Sequence, residues 1–404
     1  MSLNINNLFL DEIGPESIII LREPAVEMRG FVVIDSSVNG IPMGGMRITS
    51  DLTLNETIRL ARAMTLKFSS YDIPIGGGQA GIILDPNSHK KDLIIESFGE
   101  SIKSFIKEDL FYPVPGLGTK DEDIEHILKL AGKPDLMPRK IGLFKYDIPL
   151  KKNYIGVSVA HCLQAVYKNL NNYISSKPRI DWNTPARILL EGFGRAGTEI
   201  AKQMKELGHQ LLGISTIKGA IFNKDGLDID KLLEMKKTYG DNLINEYDEH
   251  NTIRIAKEEL FELSSDYSID FIIPGARPDV INKGNIDSIN TKAIIPAANM
   301  VYQDGVIKSL KEKNILAFPD FISNAGDALA LSTRQKSQNN VLAITSHIKE
   351  KITEKTIQIL KNSNERETTL YDFAKQKALE NLEHKLSRKQ KHFEKIEKKL
   401  QKGT

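Results

Sequence analysis

Two glycine-rich tracts surround the residues best suited to chemistry. In "GFGRAG", Gly192, Gly194 and Gly197 fall in GxGxxG spacing, with Arg195 and Ala196 between them. The tract follows the apolar run "RILLE" and opens the helix-like stretch "TEIAKQMKELG", the strand–turn–helix context that dinucleotide binding requires. The first glycine permits the tight turn, the second lets a pyrophosphate approach, and the third lets helix and strand close up. The helix start then offers N–H groups and a positive dipole end to the phosphates. A glycine turn that merely packs is the competing reading; the context favours a dinucleotide.

The earlier tract, "DIPIGGGQAGIILD" from Asp72 to Asp85, has the opposite context, with a helix before it and a strand after. As a loop it places no N–H groups at a helix start, so it is a poor phosphate cradle. It reads either as a backbone surface on which a small substrate or a nicotinamide ring can lie, or as a tight structural turn. Its one polar side chain is the neutral Gln79.

At the end of the strand "LLGIST", where an acidic residue would hold the adenosine ribose of NAD, the chain has Ser215 and Thr216, with Lys218 just beyond. A missing carboxylate and a nearby cation lean toward a 2′-phosphate, hence NADP over NAD; a merely solvated Lys218 is the alternative.

The elements that must position these groups change pattern near residue 150. "NETIRLARAMTLKF" places Ile58, Ala61, Met64 and Phe68 at helical spacing with Asn55 as its cap, and "AGIILD" reads as a buried strand. "TKDEDIEHILKLAG" predicts a helix with Thr119 and Glu122 in capping-box spacing and a stop at Gly132. Beyond Asn153 short apolar strands ("RILLE", "QLLGIS", "IDFIIP", "KAIIP", "NILAFP") alternate with helical segments. That alternation predicts an α/β fold with a doubly wound parallel sheet. The expected domains are 1–150, a substrate-binding and oligomerisation domain of mixed α/β structure, and 151–330, a Rossmann-type domain. Carboxy-terminal helices over 331–404 are expected to pack back on the first domain.

The last stretch keeps Leu379, Leu382, Leu386, Phe393, Ile396 and Leu400 at three–four spacing, amid eight Lys/Arg and three Glu from Glu383 to Lys402. It reads as an amphipathic helix with a solvated basic face, or as a coiled-coil contact with another subunit. One aromatic among those cations is a thin basis for nucleic-acid binding.

Composition sets outer limits. The 404 residues carry 55 basic and 53 acidic side chains, a net charge of +2, which gives no electrostatic case for a nucleic-acid or membrane partner. The single cysteine, Cys162, excludes an internal disulfide and a cysteine-built metal site, and no metal is assigned. His161 and Cys162 read as packing residues. The amino terminus lacks a basic segment followed by a long apolar core, so neither a signal peptide nor a membrane span is expected, and the cytoplasm is the expected location.

An ordered series of motifs resembles the glutamate/leucine/phenylalanine/valine dehydrogenase family: "GGMRI" (Gly44 to Ile48), "AMTLK" (Ala63 to Lys67), "PIGGGQAGI", "PVPGLGT" (Pro113 to Thr119), "GFGRAG", "KGAIFNKDGLD", "PAAN" (Pro296 to Asn299) and "PDFISNAG" (Pro319 to Gly326). The resemblance implies reversible oxidative deamination of an L-amino acid to a 2-oxo acid and ammonia, with hydride passed to NAD or NADP, in a closed homo-oligomer. It also implies that Lys67 grips the substrate carboxylate and that Gly44 and Gly45 belong to the substrate site. Ala276, Asn299 and Asn324 would join the cofactor side.

Four positions depart from the family pattern. Its catalytic lysine falls at Gln79, its catalytic aspartate at Gly116, and the threonine and glycine of TGxGV at Asn153 and Tyr154. Gln79 carries no charge and no transferable proton, and Gly116 has no side chain, so standard deamination is expected to be weak or altered. The alternative is a catalytically impaired homologue that binds nucleotide or amino acid as a regulatory or structural subunit, by itself or with an active relative. Met43 stands where glutamate-specific members have a lysine, which favours an apolar or aromatic substrate side chain unless Met43 is plain core packing.

Overall fold

The computed structural model describes residues 11–136, 153–173, 181, 183–333, 341–365 and 368–402, with side chains of the last helix to Ser387 and at Glu394. The chain divides into two compact units, Met1–Ile148 with Gln376–Thr404, and Pro149–Lys375.

In the first unit, strands β1 (Ser17–Glu23), β2 (Met28–Ser36), β3 (Pro42–Thr49), β4 (Gly76–Ile83) and β5 (Tyr112–Pro115) form one sheet in the order β1-β2-β4-β3-β5. The β3–β4 and β3–β5 pairs are parallel, and the β1–β2 and β2–β4 pairs antiparallel. Helices α1 (Leu54–Ser70), α2 (Lys91–Lys107) and α3 (Asp121–Leu130) complete the unit's first 136 residues.

The glycine tract expected to be a loop lies inside β4. Its glycines serve close packing, since none of Gly76, Gly77 or Gly78 has a positive φ. A methyl group on Gly77 would lie 1.9 Å from Thr65 Oγ1, and one on Gly44 would lie 1.7 Å from the Gly78 carbonyl oxygen. Helix α1 therefore rests directly on the β4 backbone, and β3 on β4. A glycine-rich composition signals close approach as readily as it signals a turn.

Both predicted helix caps move. The hydroxyl of Thr53, two residues before Asn55, caps α1 by accepting from Glu56 N at 3.1 Å. Helix α3 starts one residue later than expected, with the Asp123 carboxylate accepting from Lys120 N at 2.8 Å. Thr119 is occupied elsewhere, as described below.

A buried ionic group fastens the unit's amino-terminal edge. Arg62 of α1 donates through Nε to Asp35 on β2 (2.8 Å) and through both Nη atoms to Asp11 (2.6 and 2.7 Å). Thr65 Oγ1 donates to Asp35 at 2.5 Å. Burial alone would lower the Arg62 pKa, but the two carboxylates raise it above its ordinary value.

In the second unit, strands β6 (Arg187–Leu190), β7 (Gln210–Thr216), β8 (Gly219–Asn223), β9 (Thr252–Ile255), β10 (Phe271–Ile273), β11 (Ala293–Ile294) and β12 (Leu316–Ala317) are ordered β12-β11-β10-β6-β7-β8-β9. The strands from β12 to β7 are parallel, as the alternation predicted. The strands β8 and β9 run antiparallel. Only Ile217 and Lys218 separate Thr216 from its partner Gly219, and so short a link can only reverse the chain. The strand order turns at β6, whose carboxyl end is therefore the switch point where ligands bind in such sheets.

The helices of this unit are α4 (Tyr154–Asn169), α5 (Arg195–Glu206), α6 (Ile229–Tyr239), α7 (Leu243–Glu246), α8 (Val306–Glu312), α9 (Asp320–Ser323), α10 (Gly326–Ser332) and α11 (Val341–Glu365). Helix α11 packs on α4, and Thr356 meets the buried Cys162 (3.5 Å). The last helix, α12 (Leu370–Lys402), contributes to the first unit from Gln376 onward, where Ser69 Oγ donates to the Ala378 carbonyl at 2.7 Å. The segment 331–404 is thus divided between the two units and does not pack on the first alone. Leu382 is buried, whereas the side chains of Phe393, Ile396 and Leu400 lie outside those described. No helix among the described residues is long and apolar enough to cross a membrane.

His209, between α5 and β7, is the most informative titrating group of the second unit. Its Nδ1 accepts from Ala186 N (3.2 Å), which leaves the proton on Nε2 facing Gln164 Oε1 (2.6 Å). Burial lowers its pKa to about 4 against an attraction from Asp270. A depressed histidine pKa stabilises the fold fully above the unfolded value near 6.5, and that contribution is lost as pH falls toward 4. It should be on the order of 2–3 kcal/mol. In urea titrations between pH 7 and 4.5, His209→Gln is expected to show a flatter fall in stability than the wild type; parallel curves would contradict the assignment.

Candidate functional site

In the first unit the site grows from β3 and β4. Between the Met43–Gly77 and Met46–Ala80 pairs, Gly45 and Gln79 lie side by side and face the same way, toward the surface that α1 covers. The Gln79 amide is buried, at 6% exposure. A methyl group placed on Gly45 would meet Gln79 Nε2 at 3.5 Å, Gln79 Oε1 at 3.6 Å and Gly116 Cα at 3.7 Å. The two positions that depart from the dehydrogenase pattern, Gln79 and Gly116, thus flank one small niche with Gly45. Met43 precedes Gly45 by two residues and shares its face, but at 2% exposure it is part of the core. Gly44 is held against Gly78 on the opposite face. Lys67 is buried in the last turn of α1, two residues after Thr65.

Gly116 is pinned. Thr119 Oγ1 accepts from Gly116 N at 2.6 Å and donates to the Met46 carbonyl at 2.9 Å, and Ile48 N donates to the Leu117 carbonyl at 2.8 Å. The loop after β5 is drawn so tightly onto β3 that a methyl group at Gly116 would lie 2.7 Å from the Met46 carbonyl oxygen. Thr119 therefore latches this loop instead of capping α3.

In the second unit the GFGRAG loop ends β6 and opens α5. Gly192 has φ +86°, and a methyl group on Gly197 would lie 2.1 Å from the Gly192 carbonyl oxygen, so both positions demand glycine. Gly194 is the helix cap, with nothing within 4 Å of where its side chain would be. Arg195 is exposed and Ala196 half-buried. Ser215 steadies the turn: its hydroxyl accepts from Gly192 N (3.2 Å) and its carbonyl from Phe193 N (2.7 Å). Thr216 is engaged within the protein, donating to the Asp241 carbonyl (3.0 Å) and accepting from Lys218 N (3.1 Å). Lys218 is exposed in the two-residue β7–β8 turn.

Asn299 and Asn324 are brought together, with Asn324 Nδ2 donating to Asn299 Oδ1 at 2.9 Å. Asn324 Oδ1 is buried and accepts no hydrogen bond among the described residues, so it can receive a ligand donor. Asn153 caps α4, its Oδ1 accepting from Gly156 N at 3.0 Å. Tyr154 is fully buried, and burial followed by the charge of Asp327 pushes its hydroxyl pKa to about 12. Neither residue of "NY" is an exposed polar contact for a carboxamide; their shared role is to start this helix.

One group escaped sequence reasoning. Glu191, immediately before Gly192, accepts from both Gly275 N and Ala276 N at 3.2 Å. It ties the loop after β10, including the exposed Ala276, to the GFGRAG loop. Burial raises its pKa despite those two amides. The only signal was an acidic residue ending a strand beside GxGxxG.

Comparison with known proteins follows the same division. Residues 150–389 match the family described as Glutamate/Leucine/Phenylalanine/Valine dehydrogenase, and residues 20–131 match Glu/Leu/Phe/Val dehydrogenase, dimerisation domain. The NADP-specific glutamate dehydrogenase of Saccharolobus shibatae is 29% identical over 303 residues, 72% of this chain and 67% of that one. The NAD-specific glutamate dehydrogenase of Staphylococcus aureus is 27% identical over 327 residues, covering 77% and 72%. Among solved structures, the Leu-bound hetero-hexameric glutamate dehydrogenase of Thermus thermophilus superposes with a TM-score of 0.75 at 21% identity, covering 92% of this chain and 89% of that one. L-tryptophan dehydrogenase from Nostoc punctiforme gives 0.60 at 20%, covering 93% and 98%. These likenesses place the fold.

The pinned loop has a measurable consequence. Gly116→Asp should destabilise the protein by about 1–3 kcal/mol, because its Cβ must displace the Met46 backbone. Gly45→Ala, whose contacts are ordinary, should change stability by about 0.5 kcal/mol or less. Urea midpoints of the two variants check the contrast, and equal midpoints would contradict the latch.

Proposed function

The chain belongs to the glutamate/leucine/phenylalanine/valine dehydrogenase family, and from that premise we propose that it keeps the family's binding frame while performing its deamination only weakly or in altered form. The reaction is the reversible oxidative deamination of an L-amino acid to its 2-oxo acid and ammonia. The observation that carries the reading is the shared niche of Gln79 and Gly116. A lysine and an aspartate there could activate water, polarise a carbonyl and move a proton. An amide and a bare backbone offer hydrogen bonds and nothing transferable. Removing one preorganised stabiliser typically costs about a hundredfold to a thousandfold in rate.

The remaining assignments follow from residues in place. Lys67 grips the ligand carboxylate, a charge-assisted contact that does not depend on the lost chemistry. Met43, although packed in the core, stands where the family resemblance implies a lysine for a side-chain carboxylate, and so favours an apolar or aromatic ligand side chain beside Gly45. Gly192, Gly194, Arg195, Ala196 and Gly197 hold the pyrophosphate of NAD or NADP, with Ala276, Asn299 and Asn324 on the nicotinamide side. When bound, that cofactor supplies the hydride acceptor or donor. A neutral Thr216 beside the exposed Lys218 leans toward NADP. The protein works in the cytoplasm as a closed homo-oligomer.

The latched Gly116 loop favours a second reading, a regulatory or structural subunit that binds nucleotide or amino acid and assembles with itself or with an active relative. A loop that excludes an aspartate side chain has settled into a form without the proton relay. The Thermus thermophilus protein, a hetero-hexamer with Leu bound, offers a precedent for such an assembly.

Reductive amination of a panel of 2-oxo acids, with NADH and with NADPH, tests both readings. Wild-type turnover is expected about a hundredfold or more below the ordinary range of about 1–1,000 s⁻¹. Gln79→Lys alone should raise it, with branched-chain or aromatic oxo acids preferred over 2-oxoglutarate. Ordinary wild-type turnover would sink the impaired reading, and a preference for 2-oxoglutarate would show that Met43 does not set the pocket.

A further inference from the structure

Gln79 Nε2 lies 3.4 Å from the Ala80 carbonyl, its only hydrogen-bond partner among the described residues. That contact favours this orientation of the amide, because the flipped amide would set Oε1 against another acceptor. Oε1 has no donor among the described residues and lies beside a niche that neither Gly45 nor Gly116 fills. A ligand that brings a donor gains a hydrogen bond there that a ligand made only of acceptors cannot form.

We propose that this niche recognises the α-ammonium group of an intact amino acid, so that the protein binds the amino acid in preference to the corresponding 2-oxo acid. This rests on the reading above that Gln79 stands in place of a chemically active lysine. An α-ammonium group has donors and no acceptor, and it meets Oε1 directly. A 2-oxo group has only acceptors: it can use the second Nε2 hydrogen, but it leaves Oε1 unpaired and facing another oxygen. A lysine ammonium at the same place would act in the opposite sense, repelling the ligand's ammonium and polarising its carbonyl. Gly45 and Gly116 are only half-buried, so water still reaches the rim and the bound cation is not fully stripped of solvent. The substitution that weakens the chemistry thereby creates an amino-acid receptor from the same strand.

The test is calorimetric titration of the full-length protein, as it assembles, with L-leucine and L-phenylalanine and with 4-methyl-2-oxopentanoate and phenylpyruvate. Each sample is also assayed for turnover. The wild type should bind the amino acids about tenfold or more tightly than the matching oxo acids. Gln79→Lys should reverse that order. Gly45→Ala should weaken amino-acid binding about tenfold, by filling the niche, while its melting temperature stays near that of the wild type. Equal or tighter binding of the oxo acids, binding of neither class, or an order unmoved by Gln79→Lys would overturn the proposal. Ordinary turnover would instead overturn the reading of weak chemistry, whichever ligand binds, so the two failures are distinguishable.

Discussion

The first unit is organised by a contact between two backbones, α1 resting on β4 at Thr65 and Gly77. No side chain larger than hydrogen fits at residue 77 without moving the helix, and a helix cannot move there without disturbing Asp35. That carboxylate accepts from both Thr65 and Arg62, and Arg62 reaches on to Asp11. Removing one partner of a buried ionic group leaves an uncompensated charge, which costs about 3–5 kcal/mol. Glycine therefore sets the separation and the ionic group sets the helix's position along the strand. Lys67 and Gln79 are each two residues beyond this contact on their own elements, so their positions follow from it.

The second unit uses different means for a comparable end. Its loop is shaped by the positive φ of Gly192 and by the absence of a side chain at Gly197, and it is then held from two sides. Ser215 takes the loop's N–H groups from β7, and Glu191 takes those of the neighbouring loop after β10. A carboxylate so close to a phosphate site would repel the ligand if it stood free. Here its charge is directed into two amides of its own chain, and burial raises its pKa toward the neutral form. N–H groups at the start of α5 are left uncovered by any side chain at Gly194, as the proposed phosphate contact requires.

Much of this was legible in the sequence, for reasons that can be stated. The GxGxxG loop, the strand before it and the helix after it are fixed by local rules, and five parallel strands announced themselves as short apolar runs. Where a rule is not local, the sequence misled. Four glycines around Gln79 looked like a loop because composition cannot distinguish a strand in close contact from a turn. Thr119 looked like a cap because its attachment to Met46, 73 residues away, has no local signature. Asn55 lost to Thr53 because cap residues compete over a distance that periodicity does not resolve. Glu191 carried no signal beyond its place, since its partners lie 84 and 85 residues further on.

On the reading proposed above, the same distinction bears on how an active site would lose its chemistry. Substituting a lysine by glutamine is a change of one side chain and leaves the strand in place, because the strand's position depends on Gly77 and Gly44. Substituting an aspartate by glycine is different in kind. Once the side chain is gone, the loop can close onto β3, and Thr119 is placed to hold it there through one accepted and one donated hydrogen bond. The first change alters the charge of the niche and the second alters its walls. Together, on that reading, they would leave a neutral niche in place of a charged, proton-moving one, while the glycines and the ionic group that define the frame are untouched. Frame and chemistry can part in this fold because they depend on separate sets of residues.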